Sequence, residues 1–231
     1  MTARVQVALP ALGPQFASLS PEQQGDLLMV RGQYVAALEA YQHGQLRSAL
    51  VWNKMGIAYH HLFAFEEARK HYQMALVLNP RYPEALNNLA AIYHGQHNYR
   101  QAERTYRKAL KYAPNSAVTY CNLGTAYFTD RKYKQGAKAY NKALELDPNV
   151  FDVNQNQLIQ DSSSRGQLIV VYYSLAKAYA TAGKNDHALK YLRKALDAGY
   201  SDRHHLMEDK EFAELRKTPE FHQLLVEQHL D

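Results

Sequence analysis

Hydrophobic positions in the middle of the chain recur every three to four residues within short segments, and polar turns separate these segments. His97-Asn98 and Asp130-Arg131 are two such turns. This spacing places apolar side chains on one face of a helix. The pattern therefore predicts repeating pairs of antiparallel helices, in which we name the first helix A and the second helix B. One pair cannot bury its apolar face alone, so the pairs are expected to stack.

The helix pairs repeat with a period of 34 residues. The columns in register are Tyr59, Tyr93 and Tyr127; Tyr72, Tyr106 and Tyr140; Ala75, Ala109 and Ala143; and Pro80, Pro114 and Pro148. Because proline disfavours helical backbone in the residue before it, each proline marks the end of a B helix. Self-similarity at a fixed period of this length is typical of solenoid architectures.

One repeat unit reads WNKMGIAYHHLFAFEEARKHYQMALVLNP, from Trp52 to Pro80, and the next two units keep its columns. The sequence here resembles the tetratricopeptide-repeat (TPR) family, whose pattern is filled by Trp52, Met55, Gly56, Tyr59, Ala68, Tyr72, Ala75 and Pro80. The resemblance implies an all-α protein, a right-handed superhelical α-solenoid of about five TPR helix-turn-helix units with a C-terminal helical cap. Small residues such as Gly56 and Gly124 are expected to let helix B approach helix A closely.

The register of the repeats divides the chain into segments. We expect a flexible N-terminal tail at 1–17, an atypical first repeat at 18–48, repeats at 49–82, 83–116 and 117–150, an inserted loop at 151–168, a fifth repeat at 169–201 and a helical cap at 202–231. Tyr127 and Tyr179 are 52 residues apart, one period plus 18, which locates the insertion after Pro148. A polar loop of this length is either functional or disordered. One hypothesis is that it folds across the groove that such a solenoid forms on its concave side. Thr218 followed by Pro219 predicts a helix start within the cap.

The resemblance also implies a binding site. In this family the A helices line a concave groove that takes an extended peptide or a partner helix. The predicted groove residues are Asn53, Lys54, Ile57, His60, Asn87, Asn88, Ala91, His94, Asn122, Thr125, Phe128, Tyr173 and Lys177. An amide side chain both donates and accepts hydrogen bonds, so the four asparagines are suited to a peptide main chain. The alternative is that these asparagines are solvated surface residues with no task.

Two other functions remain open besides a protein-interaction scaffold. An accessory module for a small ligand or a glycan is one, because Tyr173 and Phe128 could stack on sugar rings. A solenoid that self-associates through its exposed end is the other. The partner protein or peptide, the pathway and the oligomeric state are not identified by the sequence.

Catalysis finds no support in the residue pattern. No nucleophile is paired with a base, no phosphate-binding loop occurs, and Cys121 is a single thiol, so we expect neither an enzyme nor a bound cofactor. Histidines such as His60 and His94 lack the carboxylate spacing of a metal site and are interpreted as ordinary surface or groove residues. No apolar run has the length of a membrane span. The expectation is a soluble protein, cytoplasmic or, if an export signal has been removed, periplasmic.

Positive charge is concentrated in one stretch of the chain. Ten Lys or Arg residues occur between Arg100 and Lys142, where the acidic residues are Glu103 and Asp130. The favoured interpretation is a solvated helix face. The alternative is an acidic partner, anionic lipid or nucleic acid. Because no nucleic-acid-binding motif accompanies the charge, we expect no nucleic-acid partner.

Overall fold

The computed structural model describes residues 14–147, 149–150 and 165–230, and every regular element in these ranges is helical. The chain divides into two compact units, residues 1–92 and 93–231. The first unit contains α1 (Pro14–Ala17), α2 (Pro21–Val30), α3 (Tyr34–Gln42), α4 (Ala49–His61), α5 (Phe65–Leu78) and most of α6 (Pro83–Gly95). The prediction of an all-α array of TPR helix pairs is confirmed for the described part of the chain.

The second unit continues the alternation of A and B helices. It contains the end of α6, then α7 (Tyr99–Tyr112), α8 (Ala117–Thr129), α9 (Tyr133–Leu146), α10 (Arg165–Thr181), α11 (Asn185–Asp197), α12 (Arg203–Glu208), two 3₁₀ turns at Lys210–Phe212 and Leu215–Lys217, and α13 (Pro219–Glu227). α4, α6, α8 and α10 are thus A helices, and α5, α7, α9 and α11 are their B partners.

Two helices lie partly or wholly within segments that the sequence assigned to a tail or a loop. The short helix α1 falls within the segment expected to be a flexible tail, and Phe16 packs against the core of the first unit. Helix α10 begins at Arg165, inside the predicted insertion. The hypothesis that the insertion covers the groove rests on residues 151–164, which lie outside the described residues.

Glycine and tyrosine set the distance between the helices of three pairs. A Cβ atom on Gly56 would lie 2.5 Å from the nearest atom of the Tyr72 ring, and the nearest neighbour of a Cβ on Gly124 is the Tyr140 ring. Gly25 in the first repeat likewise lies against the Tyr41 ring. The prediction that these small residues permit close helix approach is therefore confirmed, and the ring of helix B is what fills the space.

The turn inside each helix pair uses a left-handed backbone position. Phe63 lies there with φ of 57°, and Gly32 and Gly183 occupy the corresponding position in other pairs. The amide of Ala64 donates to the carbonyl of Tyr59 across this turn, a Schellman arrangement that satisfies the carbonyls at the helix end. A bulky residue in this conformation is strained, whereas glycine is not.

The C-terminal segment folds onto the last helix pair as the apolar pattern predicted. Five of its apolar side chains are buried: Phe212, Leu215, Phe221, Leu224 and Leu225. The Thr218 side chain accepts a hydrogen bond from the Phe221 amide, with Pro219 at the first position of α13. We refer to residues 202–230 as the cap.

Candidate functional site

One face of the A helices is accessible at the same positions in successive repeats. The accessible or partly accessible positions are Lys54, Ile57 and His61 on α4; Asn88, Ala91 and Gly95 on α6; Asn122, Thr125 and Thr129 on α8; and Ser174, Lys177 and Thr181 on α10. Because they recur at i, i+3 and i+7, they form a single stripe along each helix. We name this stripe the A face. It includes seven predicted site residues: Lys54, Ile57, Asn88, Ala91, Asn122, Thr125 and Lys177.

Of the other six predicted groove residues, four point into the helix packing and are corrected by the structure, whereas two do not. Asn53, Tyr173, His94 and Phe128 are buried, and Asn87 and His60 are partly exposed. Asn53 and Tyr173 share a repeat column that immediately precedes the A face, and adjacent helical residues point about 100° apart. That rotation is enough to turn a side chain from the surface towards the neighbouring helix.

The two aromatic residues proposed for sugar stacking are both inside the core. The Phe128 ring lies 4.9 Å, between centroids, from the Tyr140 ring and packs over Gly136. The Tyr173 ring is stacked on Tyr200, which lies just before the cap, with 4.3 Å between the ring centroids. Neither ring offers a face to a ligand, so the aromatic argument for glycan binding is wrong.

Polar side chains link α2, α4 and α6 within the first unit. Lys54 Nζ of α4 lies 2.6 Å from Asp26 Oδ2 of α2, and the Tyr41 hydroxyl donates to Asp26 Oδ1 at 2.7 Å. Asn88 Nδ2 of α6 donates to Oδ1 of the buried Asn53 of α4 at 3.1 Å. Asn87 Nδ2 makes a longer contact, 3.4 Å, with Asn88 Oδ1. The orientation of the Asn88 amide is consequently fixed by its neighbours.

Hydroxyl groups take part in the corresponding packing of the second unit. The Thr125 hydroxyl donates to the Cys121 carbonyl and lies 3.0 Å from the Tyr140 hydroxyl. The Thr129 hydroxyl donates to the Thr125 carbonyl and lies 3.1 Å from His94 Nε2. The contacts with Tyr140 and His94 link α8 to its neighbours, so Thr125 and Thr129 contribute to packing as well as to the A face.

The cap supplies a carboxylate to the A face of α10. Asp209 accepts hydrogen bonds from the Tyr173 hydroxyl and from Lys177 Nζ, the latter at 2.9 Å, and Glu211 lies 3.3 Å from the same ammonium. Burial alone would raise the pKa of Asp209, but the bonds from Tyr173 and Lys177 outweigh it and lower the pKa. Lys177, predicted to contact a ligand, is therefore engaged by the chain itself.

A charge cluster between α7 and α8 was not anticipated from the sequence. Glu103 accepts hydrogen bonds from the Tyr127 hydroxyl at 3.1 Å and from Lys132 Nζ at 2.9 Å. Arg107 in turn donates to the Tyr127 hydroxyl at 2.9 Å. Burial would raise the pKa of Glu103, yet these partners lower it. Glu103 is one of the two acidic residues within the basic stretch, and that scarcity of acidic residues was the signal available in the sequence.

The single cysteine of the sequence, Cys121, is buried. Burial raises the pKa of the Cys121 thiol to about 12, so its nucleophilic thiolate is scarce at neutral pH. Among the described residues, no group of three or more His, Cys, Asp or Glu side chains could hold a metal ion. None of the described helices is long and apolar enough to cross a bilayer.

These features define a class of protein, an array of helix hairpins with a largely polar A face. The family can also be stated. The tetratricopeptide-repeat model matches residues 47–115 and 81–149, and a second tetratricopeptide-repeat model matches residues 169–198. Because these matches cover more than half of the sequence, the chain belongs to the TPR family. The family is a non-catalytic interaction module.

Solved structures with the same fold are similar over most of this chain. PilF of Pseudomonas aeruginosa has 18% identity and a TM-score of 0.59, covering 91% of this chain and 87% of its own. MamA has 22% identity and a TM-score of 0.52, covering 75% of this chain and 93% of its own. YrrB, described as a TPR protein with an unusual peptide-binding site, has 14% identity, a TM-score of 0.51 and coverage of 89% and 94%. At these identities the likeness shows the fold alone. No curated protein matches the sequence.

Proposed function

We propose that this TPR protein is a protein-interaction scaffold that binds an extended peptide on the A face of its first unit. The site centres on Asn88 and includes Lys54, Ile57 and Ala91. The observation that carries the proposal is the hydrogen bond from Asn88 to the buried Asn53, because it holds an accessible amide in one orientation. A preoriented amide loses less side-chain entropy when a ligand binds.

Asn88 retains the capacity to pair with a peptide bond. An amide side chain has two N–H donors and an oxygen with two lone pairs. Its bond to Asn53 uses one N–H, and the contact from Asn87 uses one lone pair. One donor and one acceptor remain, which matches the N–H and C=O of one residue of an extended chain. This pairing is independent of the side chains of the peptide.

The side chains around Asn88 favour a peptide ligand that offers both polar main-chain groups and an apolar side chain. Ile57 and Ala91 are partly exposed apolar residues one helical turn from Lys54 and Asn88, respectively. Lys54 is already neutralised by Asp26 at 2.6 Å, so its charge is offset before any ligand arrives. We infer a ligand recognised through its main chain and one small apolar side chain, with little dependence on its charge.

YrrB provides a precedent for peptide binding on this fold, since its description assigns it a peptide-binding site. The alternatives are less well supported. The aromatic argument for a glycan fails because Phe128 and Tyr173 are buried. Self-association through the end of the array has no observation of its own in the described residues.

The experiment begins with a displayed library of random peptides selected on the wild-type protein. Affinities of the selected peptides are then measured on Asn88→Ala and on Asn115→Ala, a matched change at an exposed turn residue. We expect Asn88→Ala to weaken binding about thirtyfold, since the variant loses two hydrogen bonds to the peptide main chain, each worth about 1 kcal/mol. Asn115→Ala should change the affinity less than twofold, about the limit for an uninvolved surface site.

Main-chain recognition is tested on the peptide as well. N-methylation of each peptide bond in turn removes one donor without changing a side chain. One of the methylated peptides should bind the wild-type protein more weakly than the unmethylated peptide does. Its affinity for Asn88→Ala should be little lower than its affinity for the wild-type protein. Equal affinities for wild type and Asn88→Ala, with no sensitive peptide bond, would refute the proposed site.

A further inference from the structure

The outer surface of α7 presents a row of exposed basic side chains. Arg100, Arg104, Lys108 and Lys111 are spaced by four, four and three residues, which places them within one stripe of the helix. At a rise of 1.5 Å per residue, the row extends about 16 Å. All four side chains are exposed, and none forms an ion pair with a described residue. We name these four residues the α7 basic row.

The nearby acidic groups cannot neutralise this row, because other cations already engage them. Glu103 lies against Lys132 and Arg107, at 2.9 Å and 3.2 Å. Asp130 is 2.8 Å from Lys132 Nζ. Glu145 on α9 is paired with Lys142 at 2.8 Å. The acidic residues of α7 to α9 are therefore already paired with other cations, and the positive charge of the α7 basic row is not neutralised by them.

The absence of apolar and aromatic groups from the row narrows the class of partner. No large hydrophobic side chain is exposed on the described residues of α7, so there is no wedge to insert into a bilayer. Tyr99 and Tyr112 at its two ends are only partly exposed, and no exposed ring interleaves with the cations as a stacking platform for bases. Purely ionic recognition of carboxylates remains the best fit.

We propose that the α7 basic row docks an acidic polypeptide segment, in which Asp or Glu residues recur about every 6 Å. Successive basic residues four apart are about 6 Å apart along the axis. Alternate residues of an extended peptide are separated by about 6.6 Å, since each contributes about 3.3 Å. A segment of alternating carboxylates can thus place one acidic group against each cation. This surface is distinct from the A face, and the partner is held by charge complementarity.

The probe is a labelled dodecapeptide of alternating Glu and Ser, titrated into the full chain at about 0.1 M salt, where exposed charges more than about 10 Å away are screened. The test variant is Arg100→Gln/Arg104→Gln/Lys108→Gln. Its matched control, Arg31→Gln/Arg47→Gln/Arg81→Gln, removes three exposed cations from the first unit. Glutamine is as good a helix former as Arg and Lys, and circular dichroism checks that α7 is retained.

We expect the test variant to weaken binding at least about tenfold, since each exposed ion pair contributes a modest amount and three are lost. The control should weaken it less than about twofold. Binding to the wild-type chain should fall steeply between about 50 mM and 200 mM salt, by analogy with other multi-charge contacts. Amide chemical-shift changes on the wild-type protein should concentrate on α7, a measurement that needs no variant.

Three results would overturn the proposal. The first is no detectable binding of the Glu-Ser peptide, and the second is an equal loss for both triple variants, which would indicate net charge alone. The third is tighter binding of vesicles containing phosphatidylserine, or of a thymidine oligonucleotide, that depends on the same three cations. That outcome would assign the α7 basic row to a membrane or to nucleic acid.

Discussion

The contact between the cap and α10 permits a quantitative prediction. Asp209→Asn keeps the size of the side chain but removes the charge that Lys177 and the Tyr173 hydroxyl address. The main-chain carbonyl of Asp209, which accepts a hydrogen bond from Arg216 at 2.7 Å, is unaffected. The change therefore isolates the carboxylate. Its side chain is 11% exposed and that of Lys177 is 26% exposed, so solvent screening of this pair is limited.

The expected loss follows from the hydrogen bonds that change. A hydrogen bond to a charged group contributes about 1.5–3 kcal/mol, against about 1 kcal/mol for a neutral one. Asparagine can still accept one bond through its oxygen, but it cannot neutralise Lys177. We therefore expect Asp209→Asn to lower the free energy of unfolding by roughly 2 kcal/mol at pH 7. In a chain of this length that corresponds to a melting temperature about 5 °C lower.

The pH dependence distinguishes a charge effect from a simple packing defect. The pKa of Asp209 is lowered in the folded protein, so its contribution is fully present above the unfolded pKa of about 3.9. It is lost progressively as the pH falls from there through the folded value. Urea unfolding of both proteins from pH 8 to pH 3 should show a clear difference in stability at neutral pH that shrinks below about pH 4.

A neighbouring carboxylate serves as the control. Glu208→Gln alters a side chain that is 67% exposed and lies 3.5 Å from the exposed His204. We expect this variant to differ from wild type by less than about 0.5 kcal/mol at every pH. The reasoning fails if Asp209→Asn is as stable as wild type at pH 7, or if its deficit is equally large at pH 3.

Three further predictions concern packing, strain and reactivity. Gly124→Ala should lower the free energy of unfolding by about 1–3 kcal/mol, because a Cβ atom there would overlap the Tyr140 ring. Gly95→Ala is the control, since a Cβ atom at Gly95 would have no atom within 4 Å, and it should be neutral or stabilising. Chemical denaturation measures the stability of both variants. Phe63→Gly should raise the free energy of unfolding by about 0.5 kcal/mol by relieving the left-handed strain, whereas Phe63→Ala should bring no gain in the same assay. The Cys121 thiol, with a pKa raised to about 12, should react with a disulfide reagent at pH 8 far more slowly in the folded than in the urea-unfolded chain, and equal rates would contradict its burial.

The helix pairs were predictable because their signals are local. The spacing of apolar residues defines each helix, and the prolines at Pro80 and Pro114 follow the ends of α5 and α7. The helix of the cap was predictable for the same reason, since Thr218 and Pro219 specify a helix start within a few residues. The close packing of the two helices in a pair was predictable from residue size alone, as the repeat column of Gly56 shows.

The exact face of each A helix was not predictable in this way. Asn53 and Lys54 are adjacent and both polar, yet one is buried and the other lies on the A face. Only the position of the next helix decides between them, because that helix supplies Asn88 as the partner of Asn53. The same limit applies to Tyr173, which meets Asp209 from a segment more than thirty residues away. A repeat column assumes that every repeat has the same neighbours, and the last repeat has the cap instead.

Salt dependence should separate the two proposed surfaces. Among the described residues of the A face, the Lys and Arg positions are Lys54 and Lys177. Each of these two lysines is paired with a carboxylate of the chain. A ligand on that face therefore releases few counterions, and its affinity should change little with ionic strength. The α7 basic row has no such internal partner, so a ligand there should be lost as salt rises. A partner that binds both surfaces would lose only part of its affinity, and Asn88→Ala would remove much of what remains.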